Sequence, residues 1–180
     1  LAAHGAKVLH LRAVEFARKF NVPLHVRSSF SNKEGTWIVD EKTLKNKAME
    51  APVVAGVAHD RSQGKVTITR VPNVPGMASK IFAIVAGIDG NIDMIVQNTA
   101  VAAPDVSNLS FTLPKAEVAA VVEALKSHRA ELGFGEIRVA EDIGILSVVG
   151  AGMRSHSGIS AKLFATLGDL GINADMIATS

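Results

Sequence analysis

The spacing of apolar residues changes several times along these 180 residues, and each change marks an element. Ala6 to Phe20 has helical spacing, with Val8, Leu11 and Val14 on successive turns, and Asn21-Val22-Pro23 stops it. Leu24 to Arg27 alternates apolar and polar residues, as a strand does, and Thr36 to Val39 is a second short strand after the turn-rich Ser28 to Gly35. Asp40 to Ala51 is highly charged and ends before Pro52, which predicts a linker. Val53 to Ala58 and Val66-Thr67-Ile68 read as strands, and Pro72 with Pro75-Gly76 makes a turn. Met77, Ile81, Val85 and Ile88 then fall at i, i+4, i+8 and i+11, the apolar stripe of a helix. Ile92 to Gln97 is the next strand, followed by the alternating Leu109, Phe111 and Leu113. Pro114 opens a helix through Arg129 with Val118, Val121, Val122 and Leu125 inward. Gly133 to Gly135 turns the chain into a last strand at Ile137 and Val139. Residues 66 to 140 therefore run βαββαβ, the split-βαβ or ferredoxin-like order of an α+β fold.

A second β-α-β series starts at Ile145, and part of it is a copy of the first. Residues 157–180 align with residues 75–98 at an offset of 82 without a gap, and 8 of 24 positions are identical: Gly76/Gly158, Lys80/Lys162, Phe82/Phe164, Ala83/Ala165, Asn91/Asn173, Asp93/Asp175, Met94/Met176 and Ile95/Ile177. The stripe recurs as Ile159, Leu163, Leu167 and Leu170. Each helix ends near a glycine, Gly90 or Gly171, and the second copy should continue into a strand at Ala174 to Thr179. A duplicated unit with matched polar residues points to paired binding modules, not to a single catalytic cleft.

Composition narrows the function. Hydrophobic residues make up 48% of the chain, which suits a well-buried globular protein. Net charge is only +2, with no basic run, no Tyr and no RNP-like aromatic pair, so nucleic acid is not an expected partner. No apolar run approaches the roughly 20 residues that span a bilayer, and no membrane partner is expected. The absence of Cys excludes disulfides and thiolate metal sites and fits a reducing cytoplasm. The six His show no metal-ligand spacing, and no Ser/His/Asp arrangement has supporting motifs. Gly150 to His156 is glycine-rich but lacks the Lys-Ser/Thr of a phosphate-binding P-loop. The chain begins without Met in helix-like sequence and ends in a strand-like run, so both ends are expected to be cut.

Two segments carry candidate binding chemistry. The turns Val74-Pro75-Gly76-Met77-Ala78 and His156-Ser157-Gly158-Ile159-Ser160 lead into the repeated helices. A helix N-terminus offers unpaired N–H groups to a carboxylate, and glycine lets a ligand come close; an ordinary β-to-α connection would use the same residues. The other segment is Asn91-Ile92-Asp93-Met94, matched by Asn173-Ala174-Asp175-Met176. Asn provides both donor and acceptor for an amino acid's amino and carboxyl groups. Asp93 and Asp175 either face solvent by alternation or pair with a ligand cation. Gln97 is matched by Thr179, so two such sites would be chemically unequal.

These residues resemble a known family. GAKVLHLRAVEFARKFNVPLHVRSSFSNKEGT (5–36) is similar to the end of the catalytic domain of aspartate kinase, an amino-acid-kinase α/β fold. GVAHDRSQGKVTI (56–68), NIDMIVQN (91–98), SFTLP (110–114) and VVGAGMRSHSGISAKLF (148–164) resemble its regulatory region of two ACT domains. The resemblance implies a catalytic-domain remnant at 1–40, a linker at 41–51, a first ACT domain at 52–141 whose strand 53–58 is shared with the second, and a truncated second ACT domain at 142–180. Met49-Glu50 falls where an internal start yields a separate regulatory subunit.

The resemblance further implies an enzyme that transfers the γ-phosphoryl group of ATP to the side-chain carboxylate of L-aspartate, on the way to lysine, threonine, methionine and diaminopimelate. ATP and Mg would belong to the full enzyme, and this chain alone, without most of the catalytic domain, would be inactive and hold no cofactor. Its implied partners are amino-acid effectors such as lysine and threonine, the catalytic domain or subunit, and further ACT units in a homo- or hetero-oligomer. Effector contacts carried over by position are Asn73, Gly76, Ala78, Asn91, Ile92, Asp93 and Gln97 in the first unit, and Ile159, Ser160, Asn173, Ala174 and Ser180 in the second. The chain departs from the family at Asn73, where an Asp would hold the effector's ammonium, at Ser157 for Pro, at Ala174 for Ile and at Leu11 for Pro. Edge strands left open by the truncated second unit would need a partner chain. A stand-alone ACT-type binding or oligomerisation module is the alternative, against which the kinase-like segment at 5–36 argues.

Overall fold

The computed structural model describes residues 9–40, 54, 56–100, 102–150 and 158–178. The predicted linker at 41–51, Met49-Glu50, residues 151–157, Thr179 and Ser180 lie outside them. The elements in chain order are α1 (Leu11–Lys19), β1 (Leu24–Val26), β2 (Thr36–Ile38), β3 (Gly56–Asp60), β4 (Gln63–Pro72), α2 (Met77–Gly87), β5 (Ile95–Ala100), β6 (Ala103–Pro114), α3 (Lys115–Ser127), α4 (Arg129–Leu132), β7 (Ile137–Ala140), β8 (Ile145–Val149) and α5 (Ile159–Asp169). They divide between two compact units, one of Leu1–His59 with Leu146–Gly171, the other of Asp60–Ile145 with Ile172–Ser180.

In the first unit, α1 starts at Leu11; of the expected helical residues before it, Leu9 and His10 are not helical and 1–8 lie outside the description. His10 is extended (φ −65°, ψ 123°) and its carbonyl accepts from Ala13 and Val14, so it serves as the N-cap. Asn21, at φ 57°, turns the chain out of the helix. Strands β1 and β2 pair antiparallel from Leu24↔Ile38 to Val26↔Thr36. Across them His25 stacks on Trp37 with ring centroids 3.8 Å apart. Strand β3 pairs with β8 in a separate two-stranded sheet, and it is displaced from the predicted 53–58: Val54 is not in the strand, which runs on to Asp60. Neither α1 nor α5 has a buried residue.

The second unit holds the core. Its antiparallel sheet has the order β5-β6-β4-β7, which places the first and third strands of βαββαβ at the centre as the ferredoxin-like fold requires. Val66 and Ile68 of β4 and Leu109, Phe111 and Leu113 of β6 are buried at alternate positions. They pack against Ile81 and Val85 of α2 and the predicted inward stripe Val118, Val121, Val122 and Leu125 of α3. Phe82 meets Phe111 edge-on at 5.8 Å. The fourth stripe position lies outside the core in both copies: Ile88 and Leu170 follow the helix ends and are exposed.

Four other expectations are corrected. The strand predicted at Ile92 to Gln97 begins at Ile95 and continues to Ala100. Before it, Asp93 N donates to Thr112 O and Thr112 N to Met94 O, both at 3.0 Å, so the chain follows β6 before the regular ladder starts. The helix predicted through Arg129 ends at Ser127 and resumes as α4, because the Ser127 hydroxyl and His128 Nδ1 both take the Ala124 carbonyl at 2.8 Å. The short Val66–Ile68 strand is the middle of the ten-residue β4, which carries a bulge between Ile68 and Val71. Finally, residues 172–178 form no strand, although β5 was expected to be copied there. β5 is held by its ladder with β6, and no strand among the described residues pairs with 172–178.

Phe111 fills the centre of this core with no solvent exposure. Phe111→Ala is expected to cost about 3–5 kcal/mol. In urea unfolding the midpoint should fall while the slope stays unchanged.

Candidate functional site

The sequence of β4 delivers the chain into a cavity. Its last residues, Val71 and Pro72, still pair with Ser107 and Val106 of β6, and Asn73 N donates to Asp105 O at 2.8 Å. Val74-Pro75 then turns the chain, and Gly76 adopts φ 87° as the N-cap of α2. Only glycine takes that conformation without strain, and no side chain caps the helix; Met77 N donates to Val74 O at 3.3 Å, which leaves the Ala78 and Ser79 amides of the first turn open. A cavity of 420 Å³ lies between this turn and the sheet, lined by Asn73, Gly76, Ala78, Gln97, Ser107, Leu109 and their neighbours. That volume suits a small metabolite.

The cavity's polar groups are partly committed. Asn73 Nδ2 donates to Pro104 O at 2.9 Å, and Gln97 Nε2 donates to Ser107 Oγ at 3.0 Å. Each amide is thereby oriented by its nitrogen and keeps its oxygen as an acceptor. The site thus combines two acceptor oxygens with a helix N-terminus that favours negative charge. This is complementary to a zwitterion carrying an ammonium and a carboxylate.

Of the first-copy residues predicted from sequence, Asn73, Gly76, Ala78 and Gln97 line the cavity, and Asn91, Ile92 and Asp93 do not. Asn91 is held through its backbone, whose N–H donates to Glu117 Oε2 at 2.8 Å. Ile92 packs against the hydrophobic core, and Asp93 is exposed. Ser107 was not anticipated. Its signal in the sequence is period two: it shares a face with Leu109, Phe111 and Leu113, and it is buried at 2% exposure. A polar residue in that register needs a partner, and Gln97 supplies it.

The second copy reproduces the helix and its left-handed glycine N-cap. Helices α2 and α5 begin and end at positions 82 apart to the residue, and Gly158 takes φ 99° where Gly76 takes 87°. The left-handed residue after each helix is Asp89 (φ 56°) in one copy and Gly171 (φ 69°) in the other, so conformation is kept where identity is not. Ile159 and Ser160 belong to the first compact unit and Asn173 and Ala174 to the second; Ser180 lies outside the described residues. Asp175 does not wait for a ligand cation. Its carboxylate accepts from Lys65 Nζ of β4 at 2.8 Å. Among the described residues, no group of three or more His, Cys, Asp or Glu is placed to hold a metal ion, and no helix is long and apolar enough to cross a membrane.

The ACT domain family matches residues 146–180. All 180 residues align with the aspartokinase of Mycobacterium tuberculosis at 46% identity, over 42% of that protein. The chain is also 37% identical to a crystal structure of aspartokinase alpha and beta subunits, covering 71% of this chain and 82% of that one with a TM-score of 0.64. The chain belongs to the aspartokinase family. The ligand-free regulatory subunit of aspartate kinase from Thermus thermophilus is similar at 34% identity, with a TM-score of 0.65 over 71% of this chain and 83% of that one. These residues correspond to the regulatory ACT part of an aspartokinase, and they span less than half the length of the curated aspartokinases they match.

In this aspartokinase segment, the hydrogen bond from Lys65, and then its charge, hold the Asp175 carboxyl below the ordinary carboxylate range. A lowered folded-state value stabilises the fold above the unfolded carboxyl's pKa, and that stability is lost as pH falls through the folded value. Asp175 is 63% exposed, so the contribution is below about 1 kcal/mol. Carbon-detected titration of Asp175 should show its midpoint moving up in Lys65→Met. An unchanged midpoint would show that the pair does not form in solution.

Proposed function

We propose that this chain is the amino-acid-sensing part of an aspartate kinase, and that the cavity at the start of α2 receives the effector. The observation that carries the reading is the convergence of Asn73, Gly76, Ala78 and Gln97 on one 420 Å³ cavity. In this reading the α2 N-terminus receives the effector's carboxylate, the Asn73 oxygen its ammonium, and the Gln97 oxygen a donor on its side chain. Lysine and threonine both carry such a donor. Asn91, Ile92 and Asp93 then act by shaping the approach to β5 without touching the ligand, and Ile159, Ser160, Asn173, Ala174 and Ser180 belong to a second, unequal half-site.

Regulation on this reading is linkage. Effector binding stabilises one arrangement of ACT units over another, and a shift in kinase activity requires a differential affinity of a few kcal/mol between them. The complete enzyme would phosphorylate L-aspartate with ATP in lysine, threonine and methionine biosynthesis in the cytoplasm. Its nucleotide, its magnesium ion and its aspartate would be bound by the catalytic part of the family, outside these residues. Partner chains would be further ACT units and the catalytic domain. Exposed apolar side chains such as Phe16, Leu146 and Phe164 support a partner of that kind.

Calorimetric titration of this chain with L-lysine, L-threonine and L-methionine tests the reading. At least one should bind, and Gln97→Leu should weaken it about tenfold, as for one lost polar contact. No heat and no thermal shift with any of the three would sink the proposal. Asn73→Asp should act in two directions. It deprives Pro104 O of its donor, costing about 1 kcal/mol of stability, and it places a charge where the ammonium would lie, tightening effector binding about tenfold.

A further inference from the structure

We propose that a second cavity of this unit, lined by Arg70, Arg129 and Arg138, binds a compact polyanion carrying two or more carboxylate or phosphate groups. The cavity has a volume of 510 Å³ and shares no lining residue with the one at α2. The proposal is independent of the effector reading.

The site is built on the β4 bulge. Between the pairs Ile68↔Leu109 and Val71↔Ser107, the two residues Thr69 and Arg70 face the single residue Asn108. The extra residue forces Arg70 to φ 53°, a left-handed conformation that costs a long side chain about 1 kcal/mol or more. Asn108 Oδ1 accepts from Arg70 N at 3.2 Å and holds the bulge. Opposite it, the segment entering β7 is fixed by four bonds to Thr69: its N–H donates to Glu136 O at 2.8 Å, its carbonyl accepts from Gly135 N at 2.8 Å, and its hydroxyl accepts from Glu136 N at 3.0 Å and donates to Glu136 O at 3.3 Å. Gly135 comes so close that a Cβ there would stand 3.1 Å from Thr69 Oγ1 and 3.2 Å from Arg70 Cβ. The backbone of the walls is thus held by other backbone groups and by the Asn108 and Thr69 side chains.

Three arginines from three elements line this frame, against one acidic residue, Glu136. Glu136 pairs with Arg138 at 3.4 Å. Among the described residues, Arg70 and Arg129 have no carboxylate partner. Gathering like charges without a counter-ion is unfavourable, and a guanidinium fork fits carboxylate and phosphate oxygens in pairs. Three separate forks suit a ligand with several anionic groups. The volume exceeds what one small oxyanion fills and lies in the range of metabolite pockets.

Calorimetric titration of the whole chain with inorganic pyrophosphate and, separately, with citrate, both at matched ionic strength, tests the proposal. At least one should bind saturably at one site, and the tighter of the two identifies phosphate or carboxylate as the preferred group. Arg70→Gly removes the guanidinium while suiting the left-handed backbone, so the fold should survive. It and Arg129→Gln should each weaken binding about tenfold or more. Lys126→Gln, an exposed charge outside the cavity, should leave affinity unchanged. Absence of saturable binding for both anions would overturn the proposal, and so would an equal loss in Lys126→Gln, which would mark a response to net charge alone. Amino-acid binding in Arg70→Gly should be unaltered, so failure here and failure of the effector reading are read apart.

Discussion

The pairing of β4 with β6 is the constraint on which the rest of this molecule depends. It runs from Gln63↔Pro114 to Pro72↔Val106 and gathers six buried apolar side chains of the two central strands into one core with α2 and α3. Each such side chain contributes about 1.5–3 kcal/mol by leaving water. A one-residue slip would turn that whole row to the other face, so the register is tightly specified. Because β4 must still pair after Ile68, the bulge at Thr69-Arg70 becomes a fixed feature. Both cavities are consequences. Beyond the bulge, Val71 to Asn73 line one of them; at the bulge, Thr69 and Arg70 line the other.

The same pairing explains why an internal repeat gives unequal halves. Each copy carries a glycine at the left-handed N-cap of its helix and helix ends in matching places. In the first copy the chain leaving the helix meets β6 and becomes β5, which brings Gln97 beside Ser107. In the second copy no described strand offers that ladder, and Asp175 turns to Lys65 of β4 instead. Matched residues then have different surroundings: Phe82 packs edge-on against Phe111, while Phe164 is exposed. The two copies in this chain are thus similar in local sequence and different in what surrounds them.

Helices were the most legible elements, because their apolar stripes are set by local spacing. The stripe Val118, Val121, Val122 and Leu125 was readable, and all four are buried. The end of that helix was not, since the competing bonds of Ser127 and His128 to Ala124 depend on side-chain geometry. Strand limits were less legible for the same kind of reason: β5 begins where its neighbour's ladder begins, not where its own β-branched residues do. In the candidate site, Gly76 and Gln97 could be found from the repeat. Ser107 could not, because its importance comes from the hydrogen bond it accepts from Gln97 across a pair of strands that no repeat marks.

By itself the sequence determined the βαββαβ order, the helix faces, the turn glycines and the family, because these rest on local periodicity, on conformations only glycine tolerates, and on residue identity. Tertiary structure alone decided the bulge at Arg70, the grouping of Arg70, Arg129 and Arg138, the anchoring of the Asn73 and Gln97 amides, and the pairing of Asp175 with Lys65. Each of these joins residues far apart in the chain, and only the register between strands sets which of them meet.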